Sequence, residues 1–389
     1  MLTVILNKDE ELNVFRGFPW VYNNEIHTFK GDIVNGDVVK VVTYDNRFVG
    51  YGFININSKI MVRILSLKED EIIDYNFFKN RIIDAVNHRK TLGFDNCCRV
   101  IFAEADYLPG LIVDKYADIL SVQFLSYGMD KIKNDIVKIL IEVLNPKGIY
   151  ERSDSPVRVK EGLDEFKGGL YGEFDTMVTV KENGILMRVD VENGQKTGYF
   201  LDQKLNRDYL KYYVKDKVVL DCFSHTGGFA LHAAKYGALK VDACDISKKA
   251  VDDIMFNARL NHFDQINGIC IDVFDYLRSD DIKDKYDVIV LDPPAFTKSK
   301  DTVKKAYKGY KEINLQALKN IKNGGYLLTF SCSQHMTPVL FMEMLNEAIF
   351  DSKRRVQMLD FKIQSPDHPA LLSSNEQLYL KCVVLRVLD

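Results

Sequence analysis

The sequence has no CxxC pair and no Cys/His spacing that would ligate zinc. Its seven cysteines are odd in number and scattered, apart from the adjacent Cys97-Cys98. A disulfide framework and a structural zinc site are therefore unsupported, and a reducing compartment is expected. No apolar run approaches the roughly 20 residues of a membrane-spanning helix, so no membrane partner is expected. The opening stretch MLTVILNKDEELNVF has neither a long apolar core nor a small-residue cleavage site, which argues against a secretory leader. Basic excess is missing too. Against 55 Asp and Glu stand 52 Lys and Arg, a net charge of −3, so a nucleic acid would have to be met by a local patch. Internal repeats and low-complexity tracts are absent. So is GxGxxG, the dinucleotide fingerprint, which disfavours a dehydrogenase. The expectation is a soluble, cytoplasmic protein.

At 389 residues, 47% hydrophobic and 28% charged, the chain has material for two or three cores. Residues 1–72 alternate short apolar stretches with turn signals, Asn35-Gly36 and Asp45-Asn46 among them, and predict a small β-barrel. Residues 73–175 predict a small α/β domain. It begins with the helix DYNFFKNRIIDAVNHRKTLG and continues through strands in RVIFAEAD, LIVDKYAD, ILSVQFL and GIYERSD around the helix KIKNDIVKILIEVLN. Residues 176–389 open with a hairpin over ILMRVDVENGQKTGYFLDQ and then alternate strand and helix. The strands KVVLD, KVDACD, GICID, DVIVLD and YLLTFS precede a closing pair, VQMLDFKIQ and QLYLKCVVLRVL. Such alternation predicts a doubly wound parallel sheet with its ligand beyond the carboxyl ends of the strands.

Those strand ends are acidic. Asp221 closes the first and leads into a loop ending in Gly227-Gly228, which suits a carboxylate or phosphate at a helix N-terminus. Asp245 is placed to accept from both hydroxyls of a ribose, and Asp272 from an exocyclic amine such as adenine N6. Each alone reads more readily as a helix cap or turn residue; three in successive units with the glycine loop point to a site. In DVIVLDPPAF two prolines stop the ladder and stiffen the chain, holding Asp292 at the site edge.

In this order and spacing DCFSHTGGF, CDIS, IDVF and LDPPAF resemble the motifs of class I S-adenosylmethionine-dependent methyltransferases. GFPWVYNNEI resembles the opening of a PUA domain, an RNA-binding β-barrel. With RVIFAEADYLPGLIVDKYAD, ERSDSPVRVKEGL, ENGQKTGYFLDQKLNR, SCSQHM and SPDHPALLSSNEQLYLK, nearly the whole chain resembles one family. It is that of bacterial 23S ribosomal RNA (cytosine-5)-methyltransferases with an N-terminal PUA domain. The resemblance implies a Rossmann-like, seven-stranded α/β methyltransferase domain, mostly parallel with an antiparallel last strand. It implies S-adenosylmethionine as cofactor and no metal. By the same resemblance Asp221, Phe223 and Ser224 line the methionine end, Asp245 takes the ribose, Ile246 lies beside the adenine and Asp272 meets its amine. Thr197, Phe200 and Arg207 match positions near the cofactor, and Phe200 reads equally as core packing.

Carbon 5 of a pyrimidine is a poor nucleophile until a thiolate adds at C6, which requires a cysteine at the cofactor edge. Cys332 ends the fifth strand between Ser331 and Ser333, hydroxyls able to donate to it, and is the expected nucleophile with Asp292 as partner. Better-known RNA cytosine-5 methyltransferases carry a second cysteine after the Asp-Pro pair; here that place is Ala295. The base that removes the C5 proton is left among Asp367, His368, Glu376 and water. In TKSKDTVKKAYKGYK, Lys298, Lys300, Lys304, Lys305, Lys308 and Lys311 offer phosphate contacts, with Tyr307 or Tyr310 stacking on an unstacked base. The alternative for this stretch is a solvated helix face. For the whole protein the alternatives are uracil-5 methylation, amino-group methylation and a non-catalytic ribosome-assembly factor. Homodimerisation is left open.

Overall fold

The computed structural model describes residues 1–297, 299–374 and 377–389. Contacts group the chain into two compact units. The first holds residues 1–180, 189–202 and 366–377, and the second holds 181–188, 203–365 and 378–389.

The first unit contains two sheets. The N-terminal one has six strands in the order Trp20–Tyr22, Ile60–Ser66, Phe48–Ile54, Val38–Val42, Thr3–Leu6, Ile26–Lys30. Period-2 alternation buries Val39 and Val41 while Val38 and Lys40 stay partly exposed, which builds a core with Val4, Leu6, Val49 and Val62. Asp45-Asn46 makes the expected hairpin, with Asn46 at φ 65°. Asn35-Gly36 turns the chain but makes no hairpin, because Thr3–Leu6 inserts between the flanking strands and pairs in parallel with Val38–Val42. The second sheet runs Phe166–Tyr171, Gly148–Ser153, Ile119–Phe124, Leu111–Tyr116, Cys97–Phe102. Helices Tyr75–Thr91 and Lys133–Leu144 pack on it. Asp74 caps the first of these by accepting from Phe77 N at 2.9 Å.

One buried charge cluster joins the two sheets. Arg63 reaches Glu104 and Glu161, each at 2.8 Å, while Trp20 Nε1 donates to Glu104 and Ser58 Oγ to Glu161. Burial alone raises the Glu161 carboxyl. The Arg63 charge and hydrogen bonds from Arg63, Ser58 and Asn55 outweigh it and hold the group below its usual range. Arg63→Leu leaves two desolvated carboxylates without their cation, an expected loss of about 3–5 kcal/mol in a urea titration. The deficit should narrow as pH falls toward the carboxylate range, because protonation removes the stranded charge. A deficit that does not change with pH contradicts this account.

The second unit is a seven-stranded sheet: β1 (Val218–Cys222), β2 (Lys240–Asp245), β3 (Ile266–Cys270), β4 (Val288–Leu291), β5 (Tyr326–Ser331), β6 (Val356–Lys362) and β7 (Lys381–Val387). Their order is β3-β2-β1-β4-β5-β7-β6, and β7 runs antiparallel to both of its neighbours. Helices α1 (Gly228–Lys235), α2 (Lys248–Leu260), α3 (Val273–Arg278), α4 (Val303–Asn320) and α5 (Pro338–Ser352) cover the sheet. Its central strands are buried on both faces, which is why they read as continuous apolar runs. The expected Rossmann-like sheet is therefore present, with its antiparallel last strand. The hairpin ahead of it lies earlier than expected: ILMRVD is its second strand rather than its first, and YFLDQ is not a strand. Met177–Glu182 pairs with Ile185–Asp190 about Asn183-Gly184, and no strand follows. Asp190 ends it by accepting from Asn193 N at 2.7 Å, which folds ENGQ into a turn. Among the described residues no helix is long and apolar enough to cross a membrane.

Candidate active site

Strand polarity brings Asp221, Asp245, Asp292 and Cys332 to the carboxyl edge of β1, β2, β4 and β5. Between β1 and α1 the chain takes positive φ at Phe223 (61°), His225 (51°) and Gly227 (90°), which folds the loop tightly over Asp221. Oδ2 of Asp221 accepts from Ser224 Oγ at 2.5 Å and Ala230 N at 3.0 Å. Its Oδ1 is buried and has no hydrogen-bond partner among the described residues. Burial pushes the carboxyl up to about 7, against the lowering effect of those two hydrogen bonds. A buried, unpartnered carboxylate oxygen costs about 1–3 kcal/mol and suits an incoming cationic N–H.

Asp245 accepts from Ser247 N at 2.9 Å through Oδ1 and from His225 N at 3.0 Å through Oδ2, which fixes the carboxylate while leaving it partly exposed. Ile246 beside it is 70% exposed, an aliphatic face open to a flat ring. Asp272 caps α3, with Oδ1 accepting from Phe274 N at 2.7 Å. Phe223 meets Phe274 and Phe296 at centroid distances of 6.4 and 6.5 Å, and Phe296 packs at a tilt against Tyr310 at 4.6 Å. Phe274 and Phe296 were not singled out from sequence.

Asp292 Oδ1 accepts from Gln203 Nε2 at 2.9 Å, and Gln203 in turn accepts from Asn206 Nδ2 at 2.8 Å. Sequence reasoning missed both amides, although they lie within the distinctive ENGQKTGYFLDQKLNR stretch. Cys332 is partly exposed. Five of the other six cysteines are buried and Cys270 is exposed. Burial pushes the thiols of Cys222, Cys244 and Cys382 upward, which disfavours thiolate there. Of the two serines expected to donate to Cys332, Ser333 instead donates its hydroxyl to Thr297 O at 2.9 Å.

Arg207 is buried in a bidentate pair with Glu182, at 2.7 and 2.9 Å. His232 lies 4.0 Å from the same carboxylate, and its Nδ1 hydrogen-bonds Gly228 O at 2.8 Å, so this buried group braces the glycine loop. Burial lowers the imidazole to about 4, keeping it neutral. Thr197 and Phe200 belong to the first unit. The Thr197 hydroxyl donates to Asp114, and Lys196 Nζ lies 4.6 Å from the Phe200 ring centroid. Asp367 and His368 also lie in the first unit, both buried. Asp367 accepts from Arg99 N at 3.0 Å and hydrogen-bonds His368 at 2.9 Å. Glu376 and Lys298 lie outside the described residues.

Lys300, Lys304, Lys305 and Lys308 are exposed along and just before α4. Tyr310 corrects the expectation of base stacking, because it is fully buried against Phe296 and Phe341. Tyr307 is half-buried, its hydroxyl raised to about 12 by burial and by its hydrogen bond to Glu347. Lys311 pairs with Glu347 and Asp351 on α5. Among the described residues no cluster of three His, Cys, Asp or Glu could hold a metal ion.

Gln203→Ala should loosen the hold on Asp292 and lower turnover about ten-fold, the scale of one hydrogen bond to a charged group. Cofactor affinity measured by calorimetry should not move. An unchanged rate would show that Asp292 needs no such clamp.

A PUA-like domain model matches residues 4–67, and an S-adenosylmethionine-dependent methyltransferase model matches residues 164–372. Proteins named ribosomal RNA large subunit methyltransferase I from Alteromonas mediterranea, Shewanella denitrificans and Vibrio vulnificus are 39%, 41% and 39% identical to this chain. Each alignment covers 99% of both sequences. Among solved structures, a Streptococcus mutans chain assigned as a SAM-dependent methyltransferase superposes with a TM-score of 0.82 at 23% identity. A methyltransferase complexed with SAH superposes with 0.84 at 23% identity, and both cover 100% of each chain. At that identity these two speak for the fold alone. Acidic strand ends, glycine loop and full-length relatives agree: the chain is a PUA-containing member of the S-adenosylmethionine-dependent methyltransferase family.

Proposed function

We propose that this methyltransferase acts on large-subunit (23S) ribosomal RNA and methylates C5 of a cytosine through a bond between Cys332 Sγ and C6. The observation that carries this reading is Cys332 itself. It is the partly exposed thiol at the end of β5, next in the sheet to the strand that ends at Asp292, whereas Cys222, Cys244 and Cys382 are buried thiols. The ribosomal RNA large subunit methyltransferases I, 39–41% identical over full length, support the RNA and the subunit. All seven cysteines are free, which suits a reducing cytoplasm.

The residues present fit S-adenosylmethionine. The unpartnered Oδ1 of Asp221 suits its ammonium, the outward lone pairs of Asp245 its ribose hydroxyls, and exposed Ile246 its adenine. Phe223 and Ser224 shape the loop above Asp221, and Arg207 braces that loop through Glu182 and His232. Asp272, held as the α3 cap, offers its second oxygen to the adenine amine. Bound S-adenosylmethionine supplies the electrophilic methyl that C5 accepts. Cys332 adds to C6, opening the C5–C6 double bond and making C5 nucleophilic. Transfer of the C5 proton to water and cleavage of the C6–S bond then restore the aromatic ring and the Cys332 thiolate. Asp292, fixed by Gln203, orients the N3/N4 edge of the base. Lys300, Lys304, Lys305 and Lys308, with Lys298 beside them in sequence, contact the backbone of an unstacked strand. The PUA-like and central sheets hold flanking RNA.

Cys332→Ala should eliminate methyl transfer to ribosomal RNA while S-adenosylmethionine affinity stays close to wild type. Nucleoside digestion of wild-type product should give 5-methylcytidine. Full activity in the variant would refute the nucleophile, and 5-methyluridine or N4-methylcytidine would refute the target atom.

A further inference from the structure

We propose that Lys381 accepts the thiol proton of Cys332 and holds the resulting thiolate as its ion-pair partner, acting as a positioning residue for attack on C6. This rests on Cys332 as the nucleophile and adds how the thiolate is made. Lys381 opens β7 directly across from Ser331, at the point where β5 ends and Cys332 begins the loop. Its side chain is 2% exposed, a costly place for an ammonium. Among the described residues no carboxylate pairs with it.

Its amine instead donates to two backbone carbonyls, Ser333 O at 2.6 Å and Tyr379 O at 2.8 Å. The first of these belongs to the residue after Cys332, so the amine spans the cysteine from its partner strand. Two of the three substituent directions on Nζ are thereby used. The third carries either a proton or a lone pair, on a nitrogen held against the chain on both sides of Cys332, by the Ser333 carbonyl and by the strand pairing with Ser331. Burial lowers the amine to about 8 and the Cys332 charge opposes that fall, so both protonation states are accessible near neutrality.

The step balances without a further reactant. The S–H bond of Cys332 breaks, an N–H bond forms on Lys381, and a neutral pair becomes an ion pair of zero net charge. A counter-cation is needed here because Asp292 stands at the same edge and disfavours a second negative charge. The other titratable groups acting on this corner are Tyr310 from α4, Cys382 from β7, and Asp360 and Lys362 from β6. Burial raises the Tyr310 hydroxyl to about 12, so it stays neutral, and Asp360 and Lys362 pair with each other at 3.4 Å.

The test is the pH profile of Cys332 alkylation by iodoacetamide in the full chain, quantified on the Cys332 peptide by mass spectrometry. Lys381→Met keeps length and burial but removes the proton acceptor. It should slow alkylation at pH 7 at least ten-fold and move the half-maximum to higher pH. Lys381→Arg, which keeps a permanent cation, should recover most of the rate. A folded Lys381→Met protein with the wild-type profile would overturn the proposal. Should that variant not fold, the wild type decides. Cys332 alkylating at pH 7 no faster than cysteine in a short peptide overturns the proposal, and clearly faster reaction supports it. Because alkylation is read without RNA, failure here is separate from failure of the methyl-transfer reading, which Cys332→Ala tests.

Discussion

The site depends on where the parallel strands stop. Five strands of one polarity end at a common edge, and at that edge the chain places four carboxylates, Asp221, Asp245, Asp272 and Asp292, and one thiol. Grouping like charges raises their free energy, so each needs a specific partner. Ser224 and the α1 N-terminus hold one oxygen of Asp221, two backbone amides hold Asp245, and Gln203 holds Asp292. The oxygen left without a partner, Asp221 Oδ1, is the one that best suits a cationic ligand group. The fixed position of Asp221 and its one unpartnered oxygen thus share one cause, a tight left-handed loop that turns a hydroxyl and an N–H onto the acid.

The same logic extends behind the edge. A neutral, buried His232 and the Arg207–Glu182 pair sit under the glycine loop, where a mobile support would blur the position of Asp221. In the first unit the Arg63 cluster does comparable work, fastening two sheets with one guanidinium and two carboxylates. Such clusters contribute specificity of docking more than net stability, because desolvation offsets much of the attraction.

Much of this was legible in the sequence because it is local. Strand–helix alternation, the glycine pair after Asp221 and the Asp-Pro-Pro stop all declare themselves within a dozen residues. What stayed hidden is non-local. Gln203 reaches Asp292 across 89 residues, and Lys381 reaches Ser333 across 48, so no window of sequence connects them. Asn35-Gly36 looked like a hairpin because nothing local reveals that Thr3–Leu6 slips in between. Tyr310 was legible and misread. Ala306, Tyr310, Ile313 and Ala317 recur at helical spacing and mark the buried face of α4, which the lysine count obscured.

The central claim is covalent chemistry at Cys332, and its most direct measurement is adduct trapping. Large-subunit RNA containing 5-fluorocytosine, incubated with the protein and S-adenosylmethionine, keeps a fluorine where the C5 proton would leave, so the C6–S bond cannot be released. The account predicts a denaturation-resistant protein–RNA complex whose cross-linked peptide contains Cys332. Methylation of unmodified RNA without any trapped complex, or a cross-link to a different residue, would contradict it.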